Sequence, residues 1–168
     1  AAVSLLTELD LRYRVVAGTP LLHLNGQPVP QESIRGPEVA KVVSFVARIA
    51  GVRDWLRERQ RETRELGIIV MEGRDIGTVI FPDAAHKFYM TASPEVRAQR
   101  RLDQAGEVAD GATLASVTAE IAERDRLDST REVAPLRPAD DAVHIDTDPL
   151  TPQQVADAIV AQVRGGTA

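Results

Sequence analysis

The chain has 168 residues, 43% hydrophobic and 27% charged, with a net charge of −5 and no cysteine. Such a length carries a real core in one domain, the lack of Cys excludes disulfides, thiolate zinc sites and a Cys nucleophile, and mild acidity argues against broad binding to a nucleic-acid polymer. No apolar run reaches the roughly 18 residues of a membrane span, and no signal peptide opens the chain, so a cytoplasmic protein is expected. Of the 20 basic residues only Lys41 and Lys87 are lysines, and the other 18 are arginines. That bias reflects either genomic composition or a site for planar, bidentate anion recognition.

In chain order, residues 11–34 read as a small β unit. Leu11–Val16 alternates, Gly18-Thr-Pro20 forms a turn, Leu21–Leu24 is a strand, and Asn25-Gly26 signals a hairpin before Gln27–Val29. Gly36-Pro37 opens a helix with Val39, Val42, Val43, Val46 and Ile49 on one face, and a charged helix from about Val52 to Glu65 follows, anchored by Trp55 and Leu56. Ile68–Met71 is a continuous apolar run, as expected of a parallel strand buried on both faces, and Lys87–Thr91 is another. Ser93-Pro94 starts a helix with Ser as N-cap and Pro in the first position. The small, polar residues between Gln104 and Thr113 read as a mobile loop between two charged helices. A third strand is expected at Ala142–Ile145, and Thr151–Gln154 caps a last helix. Strands alternating with helices give an α/β class with a parallel sheet.

Chemistry concentrates in two places. Glu72-Gly73-Arg74-Asp75-Ile76-Gly77-Thr78 follows the apolar run directly, where ligands of parallel sheets bind. Its glycines permit close backbone approach, its acids suit a metal or metal-bound water, and its Arg suits a phosphate. The plain alternative is a tight turn with a surface ion pair. On a later helix Arg124, Asp128 and Arg131 fall within about 60° of one another and close to the face of Leu114, Val117 and Ile121. They form either a polar cleft or a local surface salt bridge. Arg97, Arg100 and Arg101 precede the loop and, taken alone, read as a solvated face. His23, His86 and His144 are expected in strands without ligand spacing, in structural or surface roles. Ser44 reads equally as a helix-surface residue or a ligand donor. Phe45, Trp55, Phe81 and Phe88 read as packing residues. Gly106–Thr113 comes nearest to a phosphate loop of the form G-x-x-x-x-G-K-[ST] but lacks the Lys and carries two acids, so it is rejected.

The run from Glu72 to Asp83, Ala92–Arg97 with Arg100-Arg101, Glu123–Arg131 followed by Val133-Ala-Pro135, and Ile34–Val39 with Ser44 and Gly51-Val-Arg53 resemble the bacterial cytidylate kinases, within the nucleoside-monophosphate kinases. The resemblance covers nearly the whole chain in order. It implies a P-loop kinase-like α/β fold, here without the first strand and loop, with a small β insertion and a helical lid. The implied division is 1–50 for the monophosphate-binding part with its β insertion, 51–96 and 124–168 for the core, and 97–123 for the lid. It further implies phosphoryl transfer from ATP to CMP or dCMP with Mg²⁺, and a monomer is expected. By position, Ser44, Arg53, Asp75 and Arg131 would read cytosine. Arg124 and Asp128 would face the sugar, and Arg74 the acceptor phosphate. Arg100 and Arg101 would close over the phosphates, and Glu72 would stand near the magnesium through water. Family members begin with a strand and phosphate-binding loop that would precede Ala1, so this chain alone is expected not to be a competent kinase. The alternative is a non-catalytic fragment or degenerate paralogue that binds only a pyrimidine nucleotide or a partner protein.

Overall fold

A computed structural model describes residues 5–34, 37–46, 49–104, 106–130, 132 and 134–165, and the chain divides after Met71 into two units. In the first, strands β1 (Leu11–Val16), β2 (Thr19–Leu24) and β3 (Gln27–Pro28) form an antiparallel meander in that order. Leu11 lies opposite Leu24 and Val16 opposite Thr19. Both hairpins turn on two residues in the left-handed region, Ala17-Gly18 (φ 49° and 80°) and Asn25-Gly26 (φ 51° and 80°), as the twist of paired strands requires. The first turn therefore lies earlier than the expected Gly18-Thr-Pro20. Pro20 sits inside β2, where its missing N–H costs no bond because β3 pairs only with His23 and Leu24. Asn25 also staples the meander: its N–H donates to the Asp10 carbonyl (2.7 Å), and its Oδ1 accepts from the Asp10 N–H (2.9 Å).

Helix α1 (Pro37–Val46) begins with Pro, which fits the first helical position. Its valines Val39, Val42, Val43 and Val46 are exposed, and Ile49, expected on the same face, is the extended residue ahead of α2 (Ala50–Glu62). Helix α2 buries Val52 and half-buries Trp55 and Leu56, then tightens into a 3-10 turn at Thr63–Leu66. The expected strand at Ile68–Met71 does not form: Ile68 and Val70 are fully exposed. A strand exists only through a ladder partner, and among the described residues no strand pairs with this run.

In the second unit, β4 (Phe88–Thr91) and β5 (Val143–Asp146) pair in parallel, Phe88 with Val143 through Thr91 with Asp146. This parallel pair and its helices agree with the expected α/β class. Helix α3 (Pro94–Leu102) starts as expected, the Val96 N–H donating to Ser93 Oγ at 3.3 Å. Helix α4 spans Leu114–Thr130 and α5 spans Pro152–Gly165. The latter opens on a reciprocal cap: the Gln154 N–H donates to Thr151 Oγ1 (3.3 Å) and the Thr151 N–H to Gln154 Oε1 (2.8 Å). Helices α3 and α4 pack through Ala98, Val117 and Ile121, all buried, with Leu102, Val108 and Ala112 around them. The segment expected as a mobile loop thus contributes Val108 and Ala112 to the helix pair. Among the described residues no helix is long and apolar enough to cross a membrane.

Candidate functional site

The second unit assembles its polar residues on α3, α4 and the segment that opens it. Beyond Met71 the chain passes Gly73, where a Cβ would meet the Ile76 side chain at 2.8 Å, a separation that real Cβ contacts do not show. It then coils into a single π-helical turn at Ile76–Ile80, whose start is held by the Asp75 carbonyl accepting from the N–H groups of Val79 (2.8 Å) and Ile80 (3.2 Å). Wide turns of this kind recur at functional positions. From this segment Arg74 Nε donates to Asp128 Oδ2 at 3.1 Å, and Arg124 Nε lies 4.0 Å from the same oxygen. Asp128 sits near the end of α4, and its carbonyl accepts from the Leu136 N–H at 2.8 Å. The two constellations noted in the sequence, the 72–78 run and the Arg124/Asp128 face, therefore meet at one carboxylate.

Helix α3 adds three more guanidiniums. Arg97 gives both Nη groups to the Asp125 carboxylate of α4, one bond measuring 3.1 Å. Arg100 donates to Thr147 Oγ1 (3.1 Å) and to the carbonyls of Thr147 (2.6 Å) and Leu150 (3.3 Å). Arg101 is half-buried, and its side chain has no hydrogen-bond or ion-pair partner among the described residues. Arg74, Arg97, Arg100, Arg101 and Arg124 line one cleft of about 360 Å³, with Asp125 and Glu107 as its carboxylates. The hydrogen bonds from Arg97 hold the Asp125 carboxyl below the usual carboxylate range despite its partial burial, and the charges of Arg97, Arg74 and Arg124 act in the same direction. The same bonds raise the Arg97 guanidinium. Five planar donors around one cavity suit a multiply charged oxyanion.

The remaining expected residues lie elsewhere. Glu72 is exposed and Asp75 half-buried beside the cleft's Arg74 in sequence. Ser44 lies in α1 and Arg53 in the first turn of α2, both in the first unit, and Arg131 falls outside the described residues. Among the described residues no three His, Asp or Glu side chains gather as a metal site. His23 is buried with Nδ1 3.1 Å from the Leu21 carbonyl, and His144 packs its ring 5.3 Å from Tyr89. His86 precedes β4 rather than lying in a strand. Sequence reasoning passed over Asp125, although it stands one helical turn beyond Ile121 on the buried stripe of α4, which is where a polar group needs a partner. It also passed over a first-unit cleft of about 400 Å³ lined by Arg12, Arg14 and Arg59 with Glu62 and Glu65.

Comparison with known proteins bears on this arrangement. The sequence profile of a family described as cytidylate kinase matches residues 1–165. The chain is 48% identical over 143 residues to a cytidylate kinase of Desulforamulus reducens, covering 85% of this chain and 64% of that protein. It is 44% identical over 157 residues to cytidylate kinases of Bacillus cereus and Bacillus thuringiensis, covering 94% of this chain and 69% of each. The chain thus spans between 64% and 69% of the length of these relatives.

Proposed function

The chain belongs to the cytidylate kinase family, and from that premise we propose that the whole protein transfers the γ-phosphoryl group of ATP to CMP or dCMP, and that the arginine cleft of the second unit receives the phosphates. The observation that carries this reading is the convergence of five guanidiniums on one cavity, two of them meeting at Asp128. Phosphoryl transfer asks little covalent chemistry of a protein; it asks for in-line positioning and for positive charge around the moving group. ATP supplies the phosphoryl group, and Mg²⁺, when bound, screens the charge of its oxygens. The cleft's donors suit a polyphosphate, and the exposed Glu72 carboxylate suits a hard cation whose other ligands are waters and phosphate oxygens.

In this reading Arg74 and Arg101 bind phosphate oxygens, and Arg100 joins them only by giving up its three bonds to Thr147 and Leu150. Arg124 and Asp128 orient the sugar. Ser44, Arg53, Asp75 and Arg131 read the base, since cytosine offers an amine for Asp or Ser to accept from and ring N3 and O2 for Arg. Residues 97–123 act as the lid, and the protein works as a cytoplasmic monomer. The 168 residues contain no G-x-x-x-x-G-K-[ST] loop, so this chain alone binds nucleotide without turning it over. Calorimetric titration of the chain with CMP, UMP and AMP tests the base assignment. CMP is expected to bind about tenfold or more tighter than the others, whereas equal affinity, or none, overturns it. Family-like turnover of CMP by the 168-residue chain in a coupled assay would overturn the claim of inactivity.

A further inference from the structure

The five guanidiniums of the cleft are not equivalent, because the chain itself already occupies several of them. Arg97 is held by Asp125, Arg100 by Thr147 and Leu150, and Arg74 by Asp128. Arg101 has no side-chain partner among the described residues, yet it lines the same cavity. Arg97 and Arg101 stand four residues apart on α3 and so share one face, one turn above the other. As bare charges they would repel; the Asp125 carboxylate cancels that of Arg97. Asp125 in turn stands one turn beyond Ile121, which packs in the same buried cluster as Ala98, the neighbour of Arg97. The ion pair therefore extends the apolar seam between α3 and α4 into the polar cleft. The bonds of Arg100 to the residues after β5 make a second tie on α3, and two ties fix how the helix is rolled about its axis.

We propose that Asp125 is a positioning residue of the cleft. By taking both Nη atoms of Arg97 it pins the face of α3 that carries Arg101, and leaves Arg101 as the guanidinium of that helix that meets an incoming polyphosphate. The inference rests on reading this cleft as the phosphate-binding region, and it extends that reading to a residue that would touch no substrate.

Inorganic tripolyphosphate, titrated calorimetrically into the 168-residue chain, probes the cleft without a base. Arg101→Ala is expected to weaken binding on the order of tenfold or more, and Asp125→Asn, which keeps the size but loses the charge and the bidentate fit, about fivefold to tenfold. Asp125→Glu recovers most of the loss. Glu123→Gln, which removes the exposed partner of Arg126 on the same helix, leaves the affinity unchanged. The decisive readout is the double variant Asp125→Asn/Arg101→Ala: if Asp125 acts through Arg101, it binds no more weakly than Arg101→Ala alone. A merely structural loss would add to the Arg101 effect. Should Asp125→Asn melt near the assay temperature, Arg97→Lys, which keeps the charge and loses the planar fork, replaces it in the same cycle. Unchanged or tighter binding in Asp125→Asn, additive losses in the double variant, or no tripolyphosphate binding by the unaltered chain overturns the proposal. Failure to prefer CMP overturns the base assignment instead and leaves the tripolyphosphate comparison intact.

Discussion

Each unit has an arginine-lined cleft, and the two are built in opposite ways. In the first, cations are answered locally: Arg12 by Asp10, Arg59 by Glu62, and along the same helix Arg57 by Asp54 at 3.0 Å and Arg61 by Glu58 at 3.6 Å. In the second, three of the five are answered across elements: Arg97 by an acid 28 residues away, Arg74 by one 54 away, Arg100 by a hydroxyl 47 away. Pairs within a helix turn are worth a few tenths of a kcal/mol and tie nothing together. Pairs between elements hold separate pieces of chain in register and set where the remaining cations sit. The same residue type thus solvates one helix and organises the other cleft, and the distance in sequence to the partner tells the two uses apart.

The contrast can be broken most forcefully at the seam that the cross-element pairs extend. Ile121→Ala removes a buried side chain from the small α3–α4 cluster and is expected to cost about 2–4 kcal/mol in urea denaturation; a cost below about 1 kcal/mol would mean that the ion pairs, not the seam, hold the helices. A smaller effect is expected in acid. The Asp125 carboxyl is held low, so the stability it contributes is complete above its unfolded value near pH 4 and is lost as pH falls through the lower folded value. Glu123 and Asp141 are lowered by Arg126 and Lys87 and act with the same sign. Melting temperature followed from pH 6 to pH 3 should drop at the acid end, less steeply in Asp125→Asn; an identical slope would put the Arg97 pair in the same class as those of α2. Smallest of all, Asp54→Asn should move the melting temperature by under about 2 °C, and less in high salt.

Local structure was readable wherever one or two residues decide it. Asn25-Gly26 announces a hairpin because both positions must take positive φ, and Ser93-Pro94 and Thr151-Pro-Gln-Gln154 announce helix starts because each supplies the acceptor its first turn needs. The strand expected at Ile68–Met71 is absent for the complementary reason: an apolar run describes a face to be covered, and whether a strand covers it depends on residues far away. The site divides likewise. Arg124 and Asp128 share a helix face, so their spacing gives them away. That Arg74 joins them, or that Arg100 spends its donors on carbonyls 47 and 50 residues distant, is a matter of tertiary packing that no spacing reports. Asp125 lay between these cases, visible to helical periodicity but hidden by its charge, which resembles that of any solvated helix.

The two lysines of the chain differ from its 18 arginines in chemistry as well as number, since only an amine is readily acylated. Lys87, leading into β4, keeps 8% of its side chain exposed, its stem lying against Gly77 and its ammonium bonded to Asp141 at 2.6 Å. An amine-directed reagent gains this nitrogen only when the second unit opens locally. The rate at which Lys87 is acylated, set against the rate at the chain's α-amino group, is therefore a built-in clock for that opening, and one that needs no engineered label.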